Sequence, residues 1–239
     1  MTTIDLHRTH SPVAIPNLRS LGTSGNLAQP AKVALVSAAA AVPPITMLHL
    51  NATAAVDPAS WTISDYVVTL PYGIPLFWMT AAALAIGGGM LAHGLAQLTG
   101  TWVLRGLLAA WAAALLVAAI FPTNLRGTPE NFSSTVHLYA GAVVFAALPA
   151  AGVLLARLQR RLTGRNAMTV ALTVISVFSG LLSTALILNR LPGVIGMPEL
   201  MLPPGILQRA AGAVEIVLLA VAAATVLRSA TRSIAKVDH

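Results

Sequence analysis

Glu215 is the only acid set deep inside a long apolar stretch of this chain. Gln208 stands seven residues earlier, which is two helical turns, so Gln208, Gly212 and Glu215 share one helix face while Arg209 points elsewhere. A lone carboxylate at bilayer depth either keeps its proton or meets a polar partner. Two readings follow: a proton relay or ligand contact, or an interhelical hydrogen bond to Ser179, Ser183 or Thr184.

A second group of polar residues gathers where apolar stretches end. Phe121-Pro122-Thr123-Asn124 closes one stretch, since proline cannot continue a helix, and His137 opens the next about a dozen residues later. That short connection holds Asn124, Arg126 and His137 within a few turns of one another. Ser64-Asp65-Tyr66 enters, and Asn189-Arg190 leaves, on the same side. An acid, an imidazole, a guanidinium and amides there suit either a pocket for a polar or zwitterionic group or a network of caps closing the bundle.

Other chemistries find little footing. The chain has no cysteine, which excludes disulfides, zinc–thiolate sites, iron–sulfur clusters and thiol nucleophiles. Only His49, His137 and Asp65 could approach one another as metal ligands, and their spacing fits no ligand motif; no metal is expected. His49 and His137 are the one pair at matching depth for haem, and His93 has no mate, so no cofactor is expected. Neither a phosphate loop, a G-x-S-x-G elbow nor an H-E-x-x-H helix occurs.

The elements that must carry these residues follow from where charge is missing. Charged residues are 9% of the 239, apolar residues 56% and the mean hydropathy is +0.80, so the chain must be solvated largely by lipid. Uncharged gaps of 24, 39, 20, 26 and 24 residues separate Lys32 from Asp57, Asp65 from Arg105, Arg105 from Arg126, Glu130 from Arg157 and Arg165 from Arg190. A spanning helix needs about 20 such residues. The longest gap opens with Pro71-Tyr72-Gly73-Ile74-Pro75 and holds one helix after it, and a last apolar stretch runs from about Ile206 to Leu227. The spacing predicts an all-α, polytopic six-helix bundle with spans near 31–50, 74–98, 102–121, 137–156, 168–188 and 206–227. No strand-like alternation supports a barrel.

Eleven of the 14 basic residues fall at the start, at the end, after helix 2 and between helices 4 and 5. By the positive-inside rule both termini are cytoplasmic, and the polar cluster faces outward. The pI of about 11.1 is then a topology signal, with no nucleic-acid partner. Residues 1–30 read as a disordered cytoplasmic tail in which His7 and His10 are solvated, 31–228 as the membrane domain and 229–239 as a cytoplasmic tail. Ala52-Thr53-Ala54 resembles a signal-peptidase site, but about 31 residues precede helix 1 and Pro43-Pro44 interrupts it, which argues against cleavage. Gly87-Gly88-Gly89 reads as a close-packing face.

Four short motifs carry a family resemblance: Ser64-Asp65-Tyr66, Phe121-Pro122-Thr123-Asn124, His137-Leu138-Tyr139-Ala140 and Gly205-Ile206-Leu207-Gln208-Arg209. In order and sidedness the chain resembles the bacterial membrane-protein family catalogued as domain of unknown function number 998, over about residues 31–228. The resemblance implies a multi-helix membrane protein. Members usually carry aspartate where this chain has Asn124, which removes one charge from the cluster.

The expectation is a protein of a bacterial inner membrane with a polar cluster of Asp65, Asn124, Arg126, His137, Gln208 and Arg209. It would bind a lipid headgroup, a small polar ligand or a partner subunit. Membrane lipids are the expected partners, with a second membrane protein or a homo-oligomer as further candidates. The alternatives are a proton-coupled transporter titrating Glu215, or a lipid-acting intramembrane enzyme with His137 as base and Asp65 orienting it.

Overall fold

The computed structural model describes residues 24–52, 56–195 and 202–235. Expectations about residues 1–23 with His7 and His10, about Thr53 and Ala54, about Glu199, and about the last four residues lie outside them, as does the side chain of Arg190.

Eight α-helices and no strand form among the described residues: α1 (Ser24–Ala40), α2 (Val42–Ala52), α3 (Ile63–Thr69), α4 (Gly73–Gly94), α5 (Trp102–Ile120), α6 (Phe132–Thr163), α7 (Ala167–Ile195) and α8 (Pro204–Ala235). Six helical segments are long and apolar enough to cross a bilayer: Leu27–Asn51, Gly73–Gln97, Trp102–Ile120, Phe132–Thr163, Ala167–Asn189 and Pro204–Arg232. The first is built from α1 and α2, which break at Ala41. Pro43 and Pro44 have no N–H to give to the preceding turn, so the chain tightens there and resumes with both prolines in the first turn of α2.

Helix ends depart from the spacing-based expectation. α1 begins at Ser24, inside the stretch read as disordered tail. α6 starts early because Asn131 and Ser134 form a capping box, and it runs on through Arg157, Arg160 and Arg161 to Gly164, whose φ of 74° ends it. Those arginines ride on the helix rather than in a loop, as do Arg228 and Arg232 on α8, which extends to Ala235 beyond the boundary at 228. α3 is an addition, sitting in the connection between the first two spans.

Each span packs against its neighbours in sequence, and α8 closes the ring against α1 while also touching α6 and α4. Small residues set the spacing. A Cβ on Gly87 would lie 3.0 Å from Leu219, and one on Gly88 would lie 2.7 Å from the ring of Trp111, whereas Gly89 faces open space. Leu108, Trp111, Leu148, Leu218, Leu219 and Ala223 fill the centre. The outer surface is apolar as well, with Val174, Leu181 and Met79 exposed, as a lipid-solvated bundle requires. Adjacent connections put α3, the α5–α6 loop, the start of α6 and the start of α8 together at one end, hereafter the α3 end.

Candidate functional site

The α3 end is assembled by backbone groups that the helices leave over. α3 opens with Thr62 and Asp65 in a capping box, and an Asp65 carboxylate oxygen, Oδ2, accepts the Thr62 N–H at 2.8 Å. The next orphan donor, the N–H of Ile63, goes to Gln208 Oε1 at the start of α8. One residue further along α8, Arg209 Nη1 donates to the carbonyls of Pro58 at 2.6 Å and Trp61 at 2.8 Å, and its guanidinium lies 5.0 Å from the Tyr66 ring centre. Gly205 N–H donates to Ala59 O at 3.0 Å, and its Cα is packed against the carbonyls of Pro58, Ala59 and Trp61. Gly205, Gln208 and Arg209 thus form a clamp that holds residues 58–63.

Below the clamp lies a pair the sequence reading did not join. Tyr66 is fully buried and its hydroxyl lies 3.0 Å from His49 Nε2, while His49 Nδ1 lies 2.6 Å from Ile45 O. A carbonyl can only accept, so Nδ1 carries a proton, and in the neutral imidazole Nε2 then accepts from the Tyr66 hydroxyl. Burial pushes the Tyr66 hydroxyl up to about 12, with Arg209 pulling the other way. At the loop before α3, hydrogen bonds from Ser60 and the Ala59 N–H hold the Asp57 carboxyl below its ordinary value.

His137 lies in the second turn of α6, where its Nδ1 is 2.9 Å from both Ala118 O and Phe121 O, the orphan carbonyls ending α5. Both are acceptors, so Nδ1–H donates, and in the neutral imidazole Nε2 is the nitrogen left with a lone pair. No direct hydrogen bond joins Asp65 to this imidazole among the described residues: two main-chain carbonyls hold Nδ1, and Asp65 Oδ2 caps its own helix. Arg126 stacks 5.1 Å from the Trp61 ring centre. Asn124 Nδ2 donates to Pro129 O, bracing the α5–α6 loop from inside.

These residues surround a cavity of about 410 Å³. Five of the six cluster residues, Asp65, Asn124, Arg126, His137 and Gln208, line it. Arg209 does not: it belongs to the clamp behind. Glu130 and Ser134 add polar wall, and Gly141, Phe145 and Ile187 make an apolar floor. Phe145 and Ile187 also line a second cavity of about 310 Å³ between α6 and α7, bounded by Pro149, Val153, Ser176 and Gly180.

Glu215 is elsewhere. It is 4% exposed in the bundle interior, with Oε2 3.4 Å from Trp111 Nε1 on α5, and it lines none of the cavities just described. The interhelical bond to α7, one of the two readings, does not form among the described residues: Ser179 and Ser183 have Oγ atoms without partners there, and Thr184 donates back to Gly180 O. Gln208 and Glu215 share a face of α8, yet the two serve different neighbours. His93 is exposed at the far end of α4. Among the described residues no three His, Asp or Glu side chains cluster in a metal-holding arrangement.

A ring of six long apolar helices with lipid-facing side chains all round defines a multi-pass membrane protein. The chain belongs to the family described as protein of unknown function (DUF998), whose model matches residues 35–225 and so covers the bulk of every span and the whole α3 end. No curated protein and no solved structure shows significant similarity to it.

Proposed function

We propose that this protein binds a membrane lipid, with the polar end in the cavity at the α3 end and one acyl chain in the cleft between α6 and α7. The observation that carries this reading is that the two cavities adjoin: a charged upper chamber shares the lining residues Phe145 and Ile187 with an apolar lower one. From Phe145 to Val153 the cleft follows α6 for roughly 12 Å at 1.5 Å per residue. That is most of the depth of a single leaflet, which is about half of a 30 Å hydrocarbon core. The arginines at the opposite end of the bundle, on α6 and α8, orient the molecule with both termini in the cytoplasm of a bacterial inner membrane, so the lipid is drawn from the outward leaflet.

Two competing readings find less support. A proton-coupled transporter needs Glu215 at a water-accessible cavity, and its carboxylate lies between helices against Trp111. A lipid-acting enzyme keeps His137 at the cavity, but its Nδ1 is held by the α5 carbonyls and not by a direct hydrogen bond to Asp65.

Gly141 provides the test. It lines the upper cavity, and a Cβ there meets nothing within 4 Å. Gly141→Trp therefore adds bulk at the chamber wall from a Cβ position that nothing obstructs. Protein purified from membranes in mild detergent should retain stoichiometric lipid by mass spectrometry, and the Gly141→Trp variant should lose it at unchanged thermal stability. Equal lipid in both proteins would refute the reading.

A further inference from the structure

We propose that the lipid carries a primary-ammonium headgroup on a phosphodiester, with the ammonium held by Asp65, Glu130 and His137 and the phosphate by Arg126; this rests on the lipid-binding reading above. The four side chains line the same cavity. What fixes each of them leaves its recognition group free. Asp65 uses Oδ2 for the Thr62 cap, and Oδ1 makes no hydrogen bond among the described residues. His137 uses Nδ1 for the α5 carbonyls, so its neutral imidazole presents a lone pair at Nε2. Arg126 is steadied by stacking on Trp61, an interaction with the face of the guanidinium that leaves its N–H edge available. Glu130 is exposed at the rim.

The donor–acceptor balance then selects among headgroups. Two carboxylates and an imidazole lone pair are three acceptors, which matches the three N–H groups of a primary ammonium. A quaternary ammonium has no N–H to offer them. An anionic headgroup would bring its charge to a wall that already holds two carboxylates against one guanidinium, and like charges at this range repel. A phosphodiester bearing a primary amine satisfies both signs at once.

Reconstitution of the full chain into nanodiscs of equal parts phosphatidylethanolamine, phosphatidylcholine and phosphatidylglycerol, all with the same acyl chains, separates these cases. After detergent extraction, mass spectrometry of retained lipid should show phosphatidylethanolamine enriched about fivefold or more over each of the others. The double variant Asp65→Asn, Glu130→Gln should bring it down to the level of phosphatidylcholine; the introduced amide still offers an oxygen to the Thr62 N–H, so the cap survives. If that variant does not fold, Glu130→Gln alone, at an exposed position, decides by the same loss of preference. Equal retention of the three lipids, a preference for phosphatidylglycerol, or a preference untouched by the variants overturns the headgroup assignment while leaving lipid binding intact. Retention of all three lipids unchanged in Gly141→Trp overturns the lipid-binding reading itself.

Discussion

The protein has two polar regions, and they are built on opposite terms. At the α3 end, polar side chains are abundant, partly exposed and bonded mostly to main chain: Gln208 to Ile63, Arg209 to Pro58 and Trp61, His137 to Ala118 and Phe121. They satisfy helix-end and loop groups there, and Gln208 and His137 also line the cavity. In the bundle interior, Glu215 and Trp111 form one side-chain pair among alanines, leucines and glycines, 4% and 1% exposed. There neither residue lines either of the two cavities, and Glu215 Oε1 has no partner among the described residues. A charge-bearing residue in a membrane protein is therefore not a functional residue by depth alone. What distinguishes the two regions is whether packing leaves space beside the polar atom.

The comparison can be broken most forcefully at the clamp. Gly205→Ala would push a methyl group into three main-chain carbonyls that cannot yield independently, because Arg209 and Gly205 N–H already grip the same segment. A loss of about 3 kcal/mol or more is expected, seen as a collapse of the detergent melting temperature and of the folded yield. A melting temperature like that of the native protein would show that residues 58–63 are not held as described. Next in size is Glu215→Ala, which removes buried volume and leaves the Trp111 N–H without an acceptor, for about 2–4 kcal/mol. Glu215→Gln keeps an oxygen for that N–H and should cost less than about 1 kcal/mol while leaving lipid retention as in the native protein. Loss of bound lipid in Glu215→Gln at intact stability would erase the distinction between the regions.

How far these features could be read in advance depended on the range of the cause. Six spans were legible because lipid excludes charge from every stretch of about 20 residues, a constraint that acts on the chain itself. Where α6 and α8 end was not, since arginine continues a helix as readily outside lipid as leucine does within it. α3 hid in a connection because seven residues bear no periodicity, and its real mark was the Thr62-x-x-Asp65 capping box. The convergence of Asn124, Arg126 and His137 was legible from the short loop between α5 and α6. Helical periodicity put Glu215 and Gln208 on one face but could not say which neighbours that face would meet, so Trp111, 104 residues away, was missed. Trp61 as platform for Arg126 and the Tyr66–His49 pair escaped for the same reason: their partners come from different elements of the chain.

Smaller effects sharpen the picture of the clamp itself. Arg209→Met keeps much of the apolar stem but removes two charge-assisted bonds to carbonyls and the stacking on Tyr66. It should lower stability by about 1–3 kcal/mol in detergent melts, less than Gly205→Ala because water can reach part of the site. Lipid retention should be disturbed less than by Gly141→Trp, since Arg209 does not line the cavity. A variant that loses lipid completely while melting normally would move Arg209 from the clamp into the binding site.

The smallest effect is a titration. Tyr66 keeps its proton up to about 12 in the folded protein, against about 10 for an ordinary tyrosine. A group that binds its proton more tightly when folded contributes stability below its unfolded value, and that contribution drains away as pH rises toward the folded value. The native protein should therefore lose melting temperature between about pH 10 and 12 beyond what its other groups produce, and Tyr66→Phe should flatten that part of the profile. The same variant gives up the hydrogen bond to His49, so its stability at pH 7 should fall modestly, by about 1 kcal/mol. Because Tyr66 sits beneath the clamp and outside the lining of the cavity, lipid retention at neutral pH should follow the native protein throughout. An alkaline slope that survives Tyr66→Phe would show that the ring is not sealed under Arg209, and with it that the α3 end is looser than the buried Glu215–Trp111 pair by more than its cavity accounts for.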